Sequence, residues 1–207
     1  MQQKIIKMLE LQDAMNSRIN PQWRDAGNEW YRAIWVECAE MLDHYGWKWW
    51  KHQQADLEQV VLEIVDIWHF MLSDLLQSES DVSKIAAQAA VYFNKASAES
   101  SDIRAAIETL ARQTLVNRNA QMQAFVDLAN AVSLSLDDLY RGYVGKNVLN
   151  FFRQDHGYKD GSYQKLWNGR EDNEYLVEEA AALDSNSDSF QQDLYRALEG
   201  HYQQHCS

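Results

Sequence analysis

VVLEIVDIWHFML, Val60 to Leu72, is a run of thirteen residues interrupted only by Glu63, Asp66 and His69. Its length and apolar character predict a helix packed by neighbours on most sides, spanning about residues 56–76. Glu63 and Asp66 stand at i, i+3, so a helix puts both carboxylates on one face. No basic residue lies in that window. An unpaired buried charge costs several kcal/mol even after relaxation, so the compensation is a raised pKa, a Lys or Arg from elsewhere, or a bound metal. A second pair, Glu37 and Glu40 in WVECAEMLDHYG, repeats the pattern on the preceding predicted helix. Two such pairs on neighbouring helices favour the metal.

The surrounding chain supports a helical reading. A single Pro and eight Gly in 207 residues leave few helix breaks, and 46 % apolar residues with eight Trp supply a large core. Ile5, Ile6, Leu9, Met15 and Ile19 repeat at helical spacing up to Asn20-Pro21, predicting a first helix over 3–19. A second helix runs from about 28 to 45 and stops at Gly46. Further helices are expected near 82–97, 102–119, 121–133, 135–154, 172–183 and 187–204. Ser135 with Asp137 and Asp138 reads as a helix start. Residues 156–169 have loop chemistry. The expected architecture is all-α, a bundle of about eight helices with a four-helix core carrying the acids, in one domain over 1–207. Residues 78–134 are Ala- and Gln-rich and form a candidate variable lobe.

Charge narrows the partners. A net charge of −12 argues against a protein that grips a nucleic-acid backbone, but admits a small phosphorylated ligand carried with divalent cations. No stretch approaches the ~18 uninterrupted apolar residues of a membrane span, and the N-terminus lacks a sustained apolar region, so a cytoplasmic location is expected. Cys38 and Cys206 read as reduced thiols.

Taking about 100° per residue, Glu37 falls at the border of the apolar arc of its helix, with Glu40 and His44 on the other side. Four carboxylates on two antiparallel neighbours would make a hard-cation site suited to Mg²⁺. A di-iron site normally needs two Glu-x-x-His pairs, and only Asp66-x-x-His69 is present. The segment GKNVLNFFRQDHGYKDGSY supplies cations: Lys146, Asn150 and Arg153 share a helix face, followed by Tyr158, Lys159 and Lys165. Such a stripe can clamp a polyphosphate or simply be solvated. Gln12 and Asn16 are amides at i, i+4 able to read a base edge, and Trp49 and Phe70 can supply an apolar wall.

Taken together, WVECAEMLDHYGWKWWK, EIVDIWHF, GKNVLNFFRQDHGYKDGSY and KLWNGREDN resemble the dimeric dUTP diphosphatases, an all-α family within the all-α NTP pyrophosphatase superfamily. The resemblance runs from Gln12 to Asn173. It implies a homodimeric enzyme that uses Mg²⁺, two or three ions per site, to hydrolyse dUTP to dUMP and pyrophosphate, and that also accepts dUDP. It further implies that Glu37, Glu40, Glu63 and Asp66 hold the metal, with Glu37 orienting or deprotonating the water. Gln12, Asn16 and Trp49 would then face uracil, His69 and Phe70 the deoxyribose and base, and Lys146, Asn150, Arg153, Tyr158, Lys159, Lys165 and Asn173 the phosphates. The alternatives are a pyrophosphohydrolase for another deoxynucleotide such as dCTP, and a non-catalytic helical oligomerisation protein.

Overall fold

A computed structural model describes residues 1–95, 102–184, 187 and 189–206. Among them are nine α-helices and one two-stranded sheet, so the chain is all-α. It divides into two compact units, Met1–Tyr140 and Arg141–Ser207. The division falls within a helix, where no change of composition marks it.

In the first unit, α1 (Gln2–Ile19) buries Ile5, Met8, Leu9, Gln12, Met15 and Asn16 along one face. It ends at Asn20, whose extended backbone suits the residue before Pro21. Helix α2 (Trp30–Tyr45) buries Ile34, Cys38 and Met41, and stops at Gly46, whose φ of +90° favours glycine. Helix α3 (Leu57–Ser78) is opened by Asp56, whose carboxylate accepts from the Gln59 amide at 3.1 Å. Buried residues lie on most sides of it, from Val60 to Leu76. Helix α2 packs against α3, which explains why the acids of both meet.

Helices α4 (Val82–Lys95), α5 (Ile103–Asn117) and α6 (Met122–Ala131) belong to the same compact unit as α1–α3. Trp68 of α3, fully buried, stacks on Phe125 of α6 at 4.9 Å and meets Phe93 of α4 edge-on at 5.9 Å. Its indole N–H points to the Met8 sulfur of α1, 3.3 Å away. Acid-bearing α3 is thus wrapped by elements on both sides of it in sequence. The end expected for α4, at 97, lies outside the described residues.

Helix α7 (Leu136–Asp155) begins at Ser135, whose hydroxyl accepts from the Asp138 amide at 3.1 Å. In the second unit, residues 156–169 are not all loop as expected. Strands β1 (Leu166–Trp167) and β2 (Arg170–Glu171) pair antiparallel, with Trp167 opposite Arg170. Asn168 and Gly169 link them with φ of +50° and +80°, the Asn-Gly hairpin turn whose two positive φ values match strand twist. Helix α8 (Asp172–Ala182) starts on a capping box of Glu171 and Glu174, and α9 (Phe190–Cys206) buries Phe190, Leu194 and Leu198. Trp167 and Phe152 fill this unit's core, with Tyr163 and Tyr175 packed on them.

Candidate active site

Three carboxylates meet in the first unit. Glu37 comes from α2, Glu63 and Asp66 from α3 one turn apart, and one oxygen of each lies within 4.8 Å of the others. Glu63 is buried and the other two half-buried. Burial is the largest cause holding the Glu37 carboxyl up at about 8, followed by its hydrogen bond with Glu63 and the charges of Asp66, Glu63 and Glu40. All of these causes act in the same direction, so without a cation Glu37 carries a proton at neutral pH. His44 Nε2 sits 3.4 Å from a Glu63 oxygen.

All the donors in this group are carboxylate oxygens, and the negative charge rises faster than the burial can tolerate. That combination fits a hard divalent cation such as Mg²⁺. The fourth expected ligand does not converge. Glu40 is exposed and lies outside the group, although its charge still reaches Glu37. The reason is helical phase: the buried arc of α2 is set by Ile34, Cys38 and Met41, which leaves Glu37 at its border and Glu40 further round, on the exposed side.

A closed ring of hydrogen bonds joins α1 to α3. The Gln12 amide donates to Asn16 Oδ1 at 3.0 Å, and the Asn16 amide donates to the Ser73 hydroxyl at 2.9 Å. Ser73 donates to the His69 carbonyl at 3.0 Å, and His69 Nδ1 is 2.8 Å from Gln12 Oε1. An amide oxygen only accepts, so His69 donates from Nδ1. All four residues are buried, which fixes the amides' orientation. Ser73 was not singled out in the sequence, yet it continues the polar series 63, 66, 69 by one turn, directly after the apolar run.

Phe70 is half-buried and stacks on Trp30 at 6.3 Å, making a wall on α3. Trp49 is 89 % exposed on the turn after α2, edge-on to Trp50 at 5.3 Å. It is not part of the amide ring.

The late candidates belong to the second unit. Arg153 forks onto Asp172, Nε to one oxygen and an NH₂ to the other, both at 2.8 Å, and the Tyr163 hydroxyl donates to the same carboxylate at 2.7 Å. Burial opposes the guanidinium's charge, but the bonds and charge of Asp172 outweigh it and hold its pKa above the ordinary value. Lys146, also buried, donates to Asn173 Oδ1 at 3.3 Å. Asn150 is half-buried. Lys159 is exposed, and the Lys165 ammonium sits 5.6 Å over the exposed Tyr158 ring. Asp172, like Ser73, was not legible in the sequence, because its partner lies nineteen positions away on another helix.

A family model described as dUTPase matches residues 4–158. The match spans the carboxylates, the amide ring and the middle helices, and it ends before Lys159, Lys165 and Asn173. No curated protein matches the chain.

Proposed function

From the premise that this chain belongs to the dUTPase family and hydrolyses dUTP, we propose that Glu37, Glu63 and Asp66 hold Mg²⁺ and that the products are dUMP and pyrophosphate. The observation that carries this reading is the convergence of three carboxylates, one of them held up at about 8 by burial and its acidic neighbours. Once bound, divalent cations would neutralise the triphosphate oxygens and lower the barrier to in-line displacement.

Glu37 has a second role in the proposal. Its ionised carboxylate orients the attacking water and accepts its proton as the bond to phosphorus forms and the bond to the pyrophosphate oxygen breaks. The amides of Gln12 and Asn16, held by His69 and Ser73, present donor and acceptor groups to the uracil edge, and Phe70 on Trp30 walls the sugar. Trp49 is proposed as an outer face for the base. Lys146, Asn150, Arg153, Tyr158, Lys159, Lys165 and Asn173 are proposed as phosphate-contacting residues. Acceptance of dUDP, Glu40 as a further metal ligand, two or three ions per site, a homodimer and a cytoplasmic location complete the proposal. No described helix is long and apolar enough to cross a membrane.

Incubating the protein with dUTP and Mg²⁺ and resolving the products tests it directly. Release of dUMP and pyrophosphate that stops on chelation is expected; metal-independent turnover would overturn the metal assignment. A panel with dCTP and dTTP reads the base preference.

The state of Glu37 sets a pH dependence. Below about 8 its proton must leave before Mg²⁺ binds, so apparent Mg²⁺ affinity is expected to rise with pH toward 8, by up to about tenfold per unit, and then level off. Stability of the metal-free protein runs the opposite way. The folded state holds this proton more tightly than the unfolded chain, whose carboxyl titrates near 4.5. The contribution is complete below 4.5, shrinks above it, and is lost as pH passes 8. Glu37→Gln is expected to flatten both profiles, read by calorimetry and by thermal unfolding. Equal slopes in the two proteins would show that Glu37 is not the titrating group.

Trp49→Ala removes a ring that is almost wholly exposed. Stability is expected to change by less than about 0.5 kcal/mol, while KM for dUTP rises several-fold. An unchanged KM would remove Trp49 from the base site.

A further inference from the structure

The inner face of α9 is completed by histidines where apolar residues would be expected. Phe190, Leu194 and Leu198 are buried, and at about 100° per residue His201 and His205 fall in the same arc of about 80°. Both are half-buried. Their rings are close to parallel, 14° apart in plane with centroids 6.3 Å apart. Tyr175 of α8 flanks both, at 4.7 Å and 5.9 Å. His201 Nε2 lies 2.8 Å from a Glu179 oxygen on α8.

Imidazoles at i, i+4 on one helix face are spaced to chelate a single metal ion through two nitrogens, and a carboxylate from the neighbouring helix is already aimed at one of them. We propose that His201, His205 and Glu179 form a binding site for a borderline divalent cation of the Zn²⁺ class. Imidazole nitrogen suits Zn²⁺, Ni²⁺ and Cu²⁺, whereas Mg²⁺ prefers the all-oxygen set of Glu37, Glu63 and Asp66. Among the described residues only that acid set has three donor atoms within 4.8 Å of one another. The histidine site therefore closes by side-chain rotation. The His205 ring turns toward Glu179, and the cation takes the place of the proton between His201 and the carboxylate, at about 2.0–2.1 Å from each nitrogen. Because both histidines sit on one turn, no backbone movement is required. All three residues lie beyond the span matched by the dUTPase family, and none contributes to the proposed dUTP site.

The test is titration of the metal-free full chain with Zn²⁺ in excess Mg²⁺, followed calorimetrically. One Zn²⁺ equivalent is expected that is lost, or weakened at least about tenfold, in both His201→Gln and His205→Gln. Glu179→Gln is expected to weaken it about tenfold. Hydrolysis of dUTP with Mg²⁺ is expected to be unchanged in all three. An isotherm unaffected by His205→Gln overturns the proposal, because a single histidine makes no chelate. Should a variant fail to fold, the wild-type chain decides alone: its bound Cu²⁺ is expected to show magnetic coupling to two imidazole nitrogens, and coupling to fewer overturns the site.

Discussion

Glu63→Gln is expected to weaken Mg²⁺ binding by at least about a hundredfold, since even outer-shell partners of a metal are worth 10–100-fold, and to abolish dUTP hydrolysis in the same measure. The substitution keeps shape while removing one of three carboxylates that crowd within 4.8 Å. Without metal, the variant is expected to be at least as stable as the parent, because it removes like charge beside Asp66 at a buried position, while protonated Glu37 keeps an acceptor in the amide oxygen. That opposite sign separates metal binding from folding. Calorimetric Mg²⁺ titration and thermal unfolding in chelator read the two effects. A variant that binds Mg²⁺ and turns over dUTP normally would falsify the ligand assignment.

Asp172→Asn is expected to cost about 3–5 kcal/mol, the largest stability loss among the substitutions considered, because it leaves the Arg153 guanidinium buried without a counter-charge. The two side chains are 10 % and 1 % exposed, so solvent cannot replace the lost partner. Tyr163 retains an acceptor in the amide oxygen, which limits the damage to the charge pair. Replacing both partners at once, Arg153→Met with Asp172→Leu, is expected to recover much of the loss, since apolar groups of similar volume need no pairing. Urea unfolding and amide exchange across α7 and α8 measure both. A loss below about 1 kcal/mol for the single variant would show that the pair is not stabilising the second unit.

Helix positions were legible where local chemistry dictates them. Pro21, Gly46, Asp56 and Ser135 each act on the backbone within a few residues, and α1, α2, α3 and α7 start or stop at them. The hairpin at Leu166–Glu171 was equally local, and Asn168-Gly169 was its signal, but the surrounding loop composition masked it. Glu37, Glu63 and Asp66 were readable as a group because helical phase and apolar neighbours are properties of a single segment. Glu40 shared their spacing and not their phase. Ser73 stood just beyond the apolar run, so only the bond from Asn16, fifty-seven residues earlier in the chain, gives it a place in the amide ring.

By itself the sequence determined that the protein is all-α, that acids occupy the apolar faces of two helices packed together, and that its motifs resemble those of a dUTPase. Those properties follow from periodicity and side-chain chemistry over one or a few turns. The tertiary structure decided which acids meet, that α4 and α6 pack their aromatic rings on Trp68 of α3, and that Arg153 faces Asp172. These are pairings between distant segments, and burial makes each of them specific: an isolated charge or amide inside the fold is costly, so the partner that satisfies it is fixed by packing and not by spacing along the chain.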